Sequence, residues 1–563
     1  MSHASTSRQR SVEEIITELD VEGFDWASYE GTYRGRALIT RLSHIPSLLL
    51  SPSSRPTPQT LLLTRTALIR LIPHIKSTWD HELYLRAINQ IYETLHPSQR
   101  SFNSSGTGGG QEQGAGSGGL MDLDDDDDDG RPATAGSGAA SGSRAGGGGE
   151  DEGVPDIRWV ESVREQDRKE ATRLDVELRG YMSNLIKESI RLTYLAFAQL
   201  SLKVGSYQGA MKNYAAVREY STSPQHHVDL GVAILETSIA FNLASSLPGH
   251  ISKLEATLDR LHPPPQTSKN QAAEAASVTA SDLRERRANE ARSASVRRSV
   301  MVKIRVARGL VALGHRDWTK AGKESGAIEE EEGGLGDWEG KAISTADVAL
   351  ITAFCVLASA DRARIRAVLL DRASFRAQID DHATWILDLV RSFVDAKYGD
   401  VMTLLRRAAP ILLLNPFLSE HSTTLIDLIK SRSIVQYVQP FSTIQISTMA
   451  QAFGLPENEM LGLVEDLVQR KEIKGKIDLI DKVVSMTSPN HRGEMFETAL
   501  KVGRTSSEMT QAAMLRMKLV EAGIVVDPRA KSADSAGDEL WDVEEGGNES
   551  TAGLPTAVPA SSS

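Results

Sequence analysis

Apolar side chains recur at steps of three and four positions along most of the chain, a spacing typical of amphipathic helices. The longest stripe begins at Leu174 and predicts one long helix that ends near Gly205. Its members are Leu174, Leu178, Met182, Leu185, Leu192, Ala196 and Leu200, with Ser189 in the gap. Because such a stripe needs a core to face, we expect this helix to pack against neighbouring helices.

The spacing beyond that helix is typical of a tetratricopeptide-type hairpin. Tyr207, Ala210 and Tyr214 follow a glycine in the pattern Gly-x-Tyr-x-x-Ala-x-x-x-aromatic, whose small residue lets two helices approach closely. Weaker, irregular echoes start at Trp318 and Tyr398. A hairpin of this kind buries its apolar stripe only against its neighbours, so the pattern predicts a right-handed solenoid of degenerate, TPR-like helical repeats.

The pattern changes after about His421. A stripe from Ile446 to Phe453 predicts a helix that Gly454 ends, and Pro456 opens a second helix. Apolar or small residues then alternate with two lysines in one short run, and a turn around Asp481 leads to a second run, so the pattern predicts a β-hairpin. These runs are 473–477 and 483–486. Helix, turn, helix and hairpin together predict a winged helix at 422–488.

A last apolar stripe runs from about Gly493 to Ala522 and predicts a single long helix. Its members are Met495, Ala499, Val502, Met509, Ala513 and Val520. Burial of a large apolar side chain contributes about 1.5–3 kcal/mol, so we expect the stripe to be covered. Two interpretations remain open: the stripe packs on the solenoid of the same chain, or it enters a helical bundle with other chains.

Two segments contain too little apolar mass to fold, and we expect both to be disordered. Residues 101–154 carry eleven acidic and two basic side chains, including six aspartates at 124–129, and the tail from residue 527 carries eight acids against two bases. The whole chain has a net charge of −12, so the remainder is nearly neutral. Such a balance gives no electrostatic basis for wrapping nucleic acid.

The residues contain no enzyme signature. The single cysteine, Cys355, lies in an apolar run that would raise the pKa of its thiol, so we interpret it as a buried structural residue. The histidines form neither His-x-His nor His-Glu-x-x-His, and no Gly-x-x-x-x-Gly-Lys-[Ser/Thr] phosphate loop occurs. We therefore expect no catalytic, cofactor or metal site. One cysteine and the lack of an eighteen-residue apolar run predict an intracellular protein without a membrane span.

The winged helix is predicted to contact protein rather than DNA. Its seven basic and eight acidic side chains nearly cancel, and Glu457, Glu459 and Glu465 on its second helix oppose entry into the major groove. The edge of its short sheet offers unpaired backbone groups to a strand of another chain. The predicted partner-binding residues are Ile473, Ile477, Val483 and Met486 at this edge, and Met495, Val502, Met509 and Val520 on the last helix.

A helical-repeat region followed by a winged helix resembles the PCI domain, which is shared by subunits of the proteasome lid, the COP-nine signalosome and a translation initiation factor. The most specific match is the run Asn-Leu-Ile-Lys-Glu-Ser-Ile-Arg at 184–191, which resembles the signature of a signalosome PCI subunit and its proteasome-lid paralogue. The positions that favour the signalosome are Tyr29, Tyr33, Gly35, Arg41, Leu42, Ile45, Ile429, Arg432, Gln436, Tyr437, Pro440 and 512–516.

The resemblance implies a non-catalytic scaffold subunit of the COP-nine signalosome. In that family, winged helices of several PCI subunits join edge to edge and their C-terminal helices gather in a bundle. The implied partners are other PCI subunits, the zinc isopeptidase subunit that removes the ubiquitin-like modifier from cullins, and cullin-RING ligases. We expect neither nucleic acid nor membrane as a partner, and a location in the cytoplasm and nucleus.

Three other functions remain open. The nearest is the PCI subunit of the proteasome lid. A stand-alone hydrolase whose site is assembled from distant residues and a winged-helix nucleic-acid binder belong to different classes. The proteins that co-purify with the chain would separate all of them.

The expected fold is mainly α, and its organisation follows the changes in pattern. A helical region occupies 12–97, the acidic insert 98–154, TPR-like repeats 155–343 with a soft interruption at 263–281, and the PCI domain 344–488. A C-terminal bundle helix follows at 492–522 and a disordered acidic tail at 527–563.

Overall fold

The computed structural model describes residues 25–50, 57–95, 154–262, 280–328, 334–379, 383–486 and 491–523. These residues are almost entirely helical, and the chain divides into two compact units, Met1–Thr487 and Ser488–Ser563. The predicted acidic insert, apart from Val154, and the predicted tail lie outside the described residues.

Four helices form the N-terminal part of the first unit. They are α1 (Trp26–Gly31), α2 (Gly35–Leu49), α3 (Pro58–Lys76) and α4 (His81–Leu95). Helix α3 begins with a side-chain cap, because the Thr57 hydroxyl accepts a hydrogen bond from the backbone N–H of Thr60 at 3.3 Å, and Pro58 has no N–H to satisfy there. The buried faces of α2 and α3 pack against each other, as the apolar periodicity requires.

The repeat region follows as a series of helical hairpins. Its helices are α5 (Ile157–Ser183), α6 (Lys187–Val204), α7 (Tyr207–Tyr220), α8 (Pro224–Ala240), α9 (Leu247–Leu261), α10 (Ala280–Gly314) and α11 (Trp318–Gly326). In the predicted hairpin, Gly205 ends α6 at φ +87°, and a Cβ at this position would overlap the Asp80 carboxylate. Ala210 is fully buried beside Tyr214, which confirms the small residue as the point of close approach.

The single long helix predicted from Leu174 to Gly205 is wrong, because the chain breaks between α5 and α6. Leu185 adopts φ +53°, and the N–H of Ile186 donates to the carbonyl of Tyr181 at 3.2 Å. This is a Schellman motif, the usual way to end a helix, with leucine where glycine is common. Met182, Leu185 and Leu192 are consequently exposed, while Leu174, Leu178 and Leu200 are buried.

The last helices before the wing are short or strongly apolar. They are α12 (Thr345–Ser359), α13 (Arg362–Ile365), α14 (Ala373–Ala377), α15 (Trp385–Val394), α16 (Tyr398–Leu414) and α17 (Ser422–Val438), with a π-helical turn at Arg366–Leu370. Leu42 of α2, Leu235 of α8 and Leu405 of α16 belong to one apolar core. The boundaries predicted at 97 and 343 stay predictions, and the core is continuous across them.

The winged helix has its own core and one strand more than predicted. It contains β1 (Thr443–Gln445), α18 (Ile446–Phe453), α19 (Glu457–Gln469), β2 (Gly475–Asp478) and β3 (Val483–Met486). The sheet order is β1–β3–β2 and both pairings are antiparallel, so the predicted hairpin is part of a three-stranded sheet. Met449, Met460 and Val484 are buried in a cluster separate from the main core.

The second unit contains one described helix, α20 (His491–Glu521). Its 31 residues match the predicted long terminal helix. Every apolar member of its predicted stripe is exposed.

Candidate partner-binding surfaces

The short sheet brings three of the four predicted edge residues together, but only one lies on an edge strand. Ile477 is on β2, which pairs with β3 alone, opposite Val484. Val483 and Met486 are on β3, the central strand, whose backbone is paired on both sides. Ile473 precedes β2 and is only 4 % exposed, packed in the winged-helix core. Of the two edge strands, β1 and β2, only β2 carries a predicted residue, and Ile473 precedes β2 in the core.

The tip of the wing carries two exposed aliphatic residues that the sequence reasoning missed. Leu479 and Ile480 are 67 % and 92 % exposed, in the turn between β2 and β3. The Asp478 carboxylate holds this turn by accepting a hydrogen bond from the N–H of Ile480 at 2.9 Å. The sequence signal was the pair of aliphatic residues between two aspartates. Such a short turn cannot bury them, so the pair indicates an exposed apolar tip.

The second helix of the wing presents carboxylates to solvent. Glu457 and Glu459 lie in the first turn of α19, where the helix dipole favours negative charge. Lys482 of the wing lies 2.9 Å from the Glu457 carboxylate and links the turn to this helix. A carboxylate-rich helix start repels phosphate, so the geometry favours a protein surface over a DNA groove.

Helix α20 exposes the four residues predicted for it, which we call the α20 stripe: Met495, Val502, Met509 and Val520. Their exposed fractions lie between 60 % and 75 %. The first three are seven positions apart, close to two helical turns, so they lie on one face. Monomeric proteins rarely expose a contiguous apolar face of this length, which makes the stripe a candidate contact surface.

Three of the residues near the start of the chain that carried the resemblance lie in a buried polar cluster, the Asp347 network. Its members are Tyr29, Tyr33, Arg41, Asp347 and Asn415. Arg41 Nη1 lies 2.9 Å from Asp347 Oδ2, and the Tyr33 hydroxyl donates to the same oxygen. Asn415 Nδ2 donates to Asp347 Oδ1 at 2.9 Å. The network thus joins α2 to α12 and to the end of α16.

Burial and charge within the network shift the pKa values of its titratable groups, and the shifts keep Arg41 charged and both phenols protonated. Burial raises the pKa of Tyr29 to about 12 and the pKa of Tyr33 well above its usual value, so both phenols stay protonated. Burial, the largest single cause, lowers the pKa of Arg41, but the Asp347 carboxylate, its hydrogen bond and the two phenol groups together raise that pKa by more, so the guanidinium stays charged. Arg41 also lies over the rings of Tyr29 and Tyr33, 4.4 and 4.6 Å from their centroids.

A cavity of about 640 Å³ lies where α2, α10 and the segment after α16 meet. His44, His315 and His421 are among its lining residues. Burial lowers the pKa of His44 and of His421, which are therefore neutral at pH 7. No group of three or more histidine, cysteine or carboxylate side chains in the described ranges has the arrangement of a metal site.

Cys355 is fully buried in α12, and burial raises the pKa of its thiol to about 12. A thiol protonated at physiological pH is neither a nucleophile nor a metal ligand, so Cys355 is a packing residue, as predicted. Among the helices of the described part of the chain, none combines the length and the apolar character needed to cross a bilayer.

Comparison with known protein families gives two matches. The family described as 26S proteasome subunit RPN7 matches residues 156–368, and the PCI domain matches residues 406–488. The first covers the repeat helices and the start of the region after them. The second covers the end of α16, α17 and the whole wing.

Several curated relatives are similar to this chain over most of the folded residues. COP9 signalosome complex subunit 1 of Arabidopsis thaliana is 26 % identical over 65 % of this chain and 74 % of its own length. COP9 signalosome complex subunit 1b of Drosophila melanogaster is 26 % identical over 68 % of this chain and 66 % of its own length. COP9 signalosome complex subunit 1 of Neurospora crassa is 28 % identical over 59 % of this chain and 70 % of its own length.

Proposed function

We propose that this chain, a PCI-domain protein related to COP9 signalosome subunit 1, is a non-catalytic scaffold subunit of a signalosome. In this role it would hold neighbouring PCI subunits and the zinc isopeptidase subunit in place while that enzyme removes the ubiquitin-like modifier from cullin-RING ligases. The observation that carries the proposal is the α20 stripe. We propose the cytoplasm and nucleus as its location.

The energetics of the α20 stripe support assembly with other chains. Burial of each stripe residue contributes about 1.5–3 kcal/mol, and that contribution is forgone while the side chains face water. A bundle of several C-terminal helices would bury all four at once, in the packing that a seven-residue spacing favours.

The wing supports the proposed contact with a neighbouring PCI subunit. The open edge of β2 can pair with a strand from a neighbouring wing, and Leu479 and Ile480 at the tip offer apolar contacts beside it. Side chains on the two strands, Ile477 on β2 and Val483 and Met486 on β3, would then set the register in which the added strand pairs with β2. The chain would use two contacts, one through the wing and one through α20.

Affinity purification of the full chain, followed by mass spectrometry, tests the proposal. We expect signalosome subunits to co-purify with the wild-type chain and their recovery to fall more than tenfold in Met509→Asp. A carboxylate buried in an apolar bundle would destabilise it by several kcal/mol, and about 1.4 kcal/mol already corresponds to tenfold in affinity. Because Met509 is exposed, the variant should fold with an unchanged unfolding temperature.

The matched control is Gln511→Asp, which adds the same charge about 200° around the helix, away from the stripe. It should retain its partners. Full recovery of the partners by Met509→Asp would contradict the bundle assignment. Recovery of no stable partner by the wild-type chain would contradict the scaffold role.

A second candidate is the equivalent PCI subunit of the proteasome lid. It is supported by the match of residues 156–368 to the family described as 26S proteasome subunit RPN7. The same purification separates the two, because lid subunits would replace signalosome subunits among the recovered proteins.

A further inference from the structure

The cavity that His44, His315 and His421 help to line lies between four segments that are distant in sequence. They are the end of α2, the turn after α8, the carboxyl end of α10 and the segment that follows α16. Its volume of about 640 Å³ lies within the range of about 300–1,000 Å³ that is typical of small-molecule sites. Asn242 and Ser245 line the cavity and are exposed, so a ligand can enter from solvent.

Much of the lining is apolar. Phe417 contributes an aromatic ring, and five aliphatic residues accompany it: Leu48, Leu243, Leu310, Val311 and Leu313. Leu310 and Leu313 are buried in the core, whereas Phe417 is partly exposed. A lining of this kind favours a ligand with an apolar body.

Three polar side chains of the lining use their hydrogen-bond donors on the protein itself. His44 Nε2 lies 3.2 Å from the carbonyl oxygen of Leu413, and because a carbonyl only accepts, this nitrogen carries the proton. Asn242 Nδ2 donates to the carbonyl of Pro416 at 3.2 Å. The Ser419 hydroxyl donates to the same carbonyl at 3.4 Å. These donors are therefore not available to a ligand.

The lining keeps its acceptors. His44 Nδ1 is unprotonated in the neutral ring, and neither this atom nor Asn242 Oδ1 has a hydrogen-bond partner among the described residues. Glu420 adds a carboxylate, and its charge acts on both His44 and His421. Gly314 at the carboxyl end of α10 also lines the cavity, and this end of a helix dipole is negative. The lining therefore suits a ligand rich in donors.

His421 is a second sign of a binding site. Its side chain belongs to a residue that is 5 % exposed, and its ring packs edge-on against Trp318 with the ring centroids 5.4 Å apart. Its Nδ1 has no hydrogen-bond partner in the described part of the chain. Buried polar groups are usually paired, so an unpaired ring beside a cavity indicates a place where a bound group can complete the pairing.

Two arginines act on these histidines from outside the lining. Arg41 acts on His44, but its guanidinium is paired with Asp347 at 2.9 Å. Arg316 acts on His421 and is exposed to water, which screens its charge. Among the described lining residues there is neither a lysine nor an arginine, so a bound cation would meet no positive side chain in direct contact.

We propose that this cavity binds a primary ammonium group carried on an apolar body. The N–H donors of the ammonium would pair with the acceptors left by His44, Asn242 and Glu420, and the body would lie against Phe417 and the aliphatic residues. Groups of this chemistry occur in free amines and in the lysine side chains of other proteins. The inference goes beyond the proposed scaffold role and does not depend on it.

A ligand-observed NMR titration of the full chain at pH 7 tests the proposal. The probes are 2-phenylethylammonium and 2-phenylethanol, which share an apolar body and differ in the group at its end. We expect a Kd of about 1 mM for the ammonium, as is usual for a compound of this size. The alcohol should bind about tenfold more weakly, because a neutral hydrogen bond replaces a charge-assisted one.

Three variants locate the binding. Glu420→Gln should weaken binding of the ammonium about tenfold and leave binding of the alcohol unchanged. Its matched control is Glu459→Gln, which removes an exposed carboxylate on α19 that does not line the cavity, and both affinities should stay as in the wild type. Ser245→Trp places a large side chain at an exposed lining position and should weaken binding of both compounds.

Three results would overturn the proposal: equal Kd values for the ammonium and the alcohol, an unchanged affinity for the ammonium in Glu420→Gln, or no saturable binding of the ammonium. A capped lysine, Nα-acetyl-lysine N-methylamide, separates the two sources of the group. Tighter binding of the capped lysine than of 2-phenylethylammonium would support the proposal and assign the cavity to a lysine of another protein. The reverse order would support it and assign the cavity to a free amine.

Discussion

The Asp347 network and the α20 stripe reverse the common distribution of side chains. The network buries a carboxylate, a guanidinium and two phenols where most cores hold aliphatic residues, whereas the stripe exposes methionine and valine where most surfaces are polar. Both carboxylate oxygens of Asp347 accept hydrogen bonds from other helices. Within the second unit, the four stripe residues are 60–75 % exposed.

The difference teaches which residues of the chain serve the fold and which are free to serve assembly. Buried polar groups are tolerated when their partners are internal, and the Asp347 network supplies such partners across more than 300 residues of sequence. Exposed apolar groups lower stability in water, and a contiguous exposed apolar face is a candidate contact surface. Tests that weaken each region should therefore have different readouts: stability for the network and partner recovery for the stripe.

The largest effect on stability is expected from Asp347→Ala. The substitution leaves the buried Arg41 guanidinium without its carboxylate, and removing one partner of a buried ion pair costs about 3–5 kcal/mol. Urea unfolding followed by circular dichroism should show a lower midpoint with an unchanged slope. Because Asp347 is buried and belongs to neither proposed partner surface, any folded fraction should still bind the proposed partners.

The control for Asp347→Ala is Asp175→Ala. Asp175 pairs with Arg179 at 2.7 Å on the surface of α5, four residues apart on one helix. An exposed pair of this kind contributes about 0.3–0.5 kcal/mol. Equal losses from the two substitutions would show that burial of the network adds nothing to the stability of the fold.

The second expected effect is a pH dependence of the free energy of unfolding, caused by two histidines that line the cavity. Burial is the main cause that lowers the pKa of both His44 and His421 in the folded state. The unfolded chain therefore takes up protons first as the pH falls, so stability is full above about pH 6.5 and declines below it. A His44→Gln, His421→Gln chain should lose less stability than the wild type between pH 7 and pH 5. An identical decline in the two chains would exclude these histidines as the cause.

The winged helix was the most predictable part of the molecule, because its signals are local. Gly454 adopts φ +63° at the end of α18, and Pro456 caps α19, so the sequence marked both ends of the helical pair. The β-hairpin followed from alternation, whereas β1 was missed. A three-residue strand has too few positions to show a period of two, and its pairing with β3 depends on residues about forty positions away.

The Asp347 network could not have been assembled from sequence spacing. Arg41 and Asp347 are 306 positions apart, and each looks like an ordinary surface charge in its own segment. The exposure of the α20 stripe was predictable only as one of two interpretations, because an apolar stripe has the same pattern whether its cover lies in the same chain or in another one. The break at Leu185 was missed for a related reason: the apolar spacing continues across it.

The smallest effect is expected at Leu185, another place where a large apolar side chain is exposed without cover. Leu185 is 80 % exposed and holds a left-handed backbone at φ +53°, which costs a leucine about 1 kcal/mol relative to glycine. Leu185→Gly should therefore raise the free energy of unfolding by about 0.5–1 kcal/mol, measured as a higher urea midpoint. Leu192→Gly, also exposed but inside α6, should lower it by about 1 kcal/mol. A loss of stability in Leu185→Gly would mean that its side chain packs on the fold, and Leu185 would then belong with the buried region rather than with the α20 stripe.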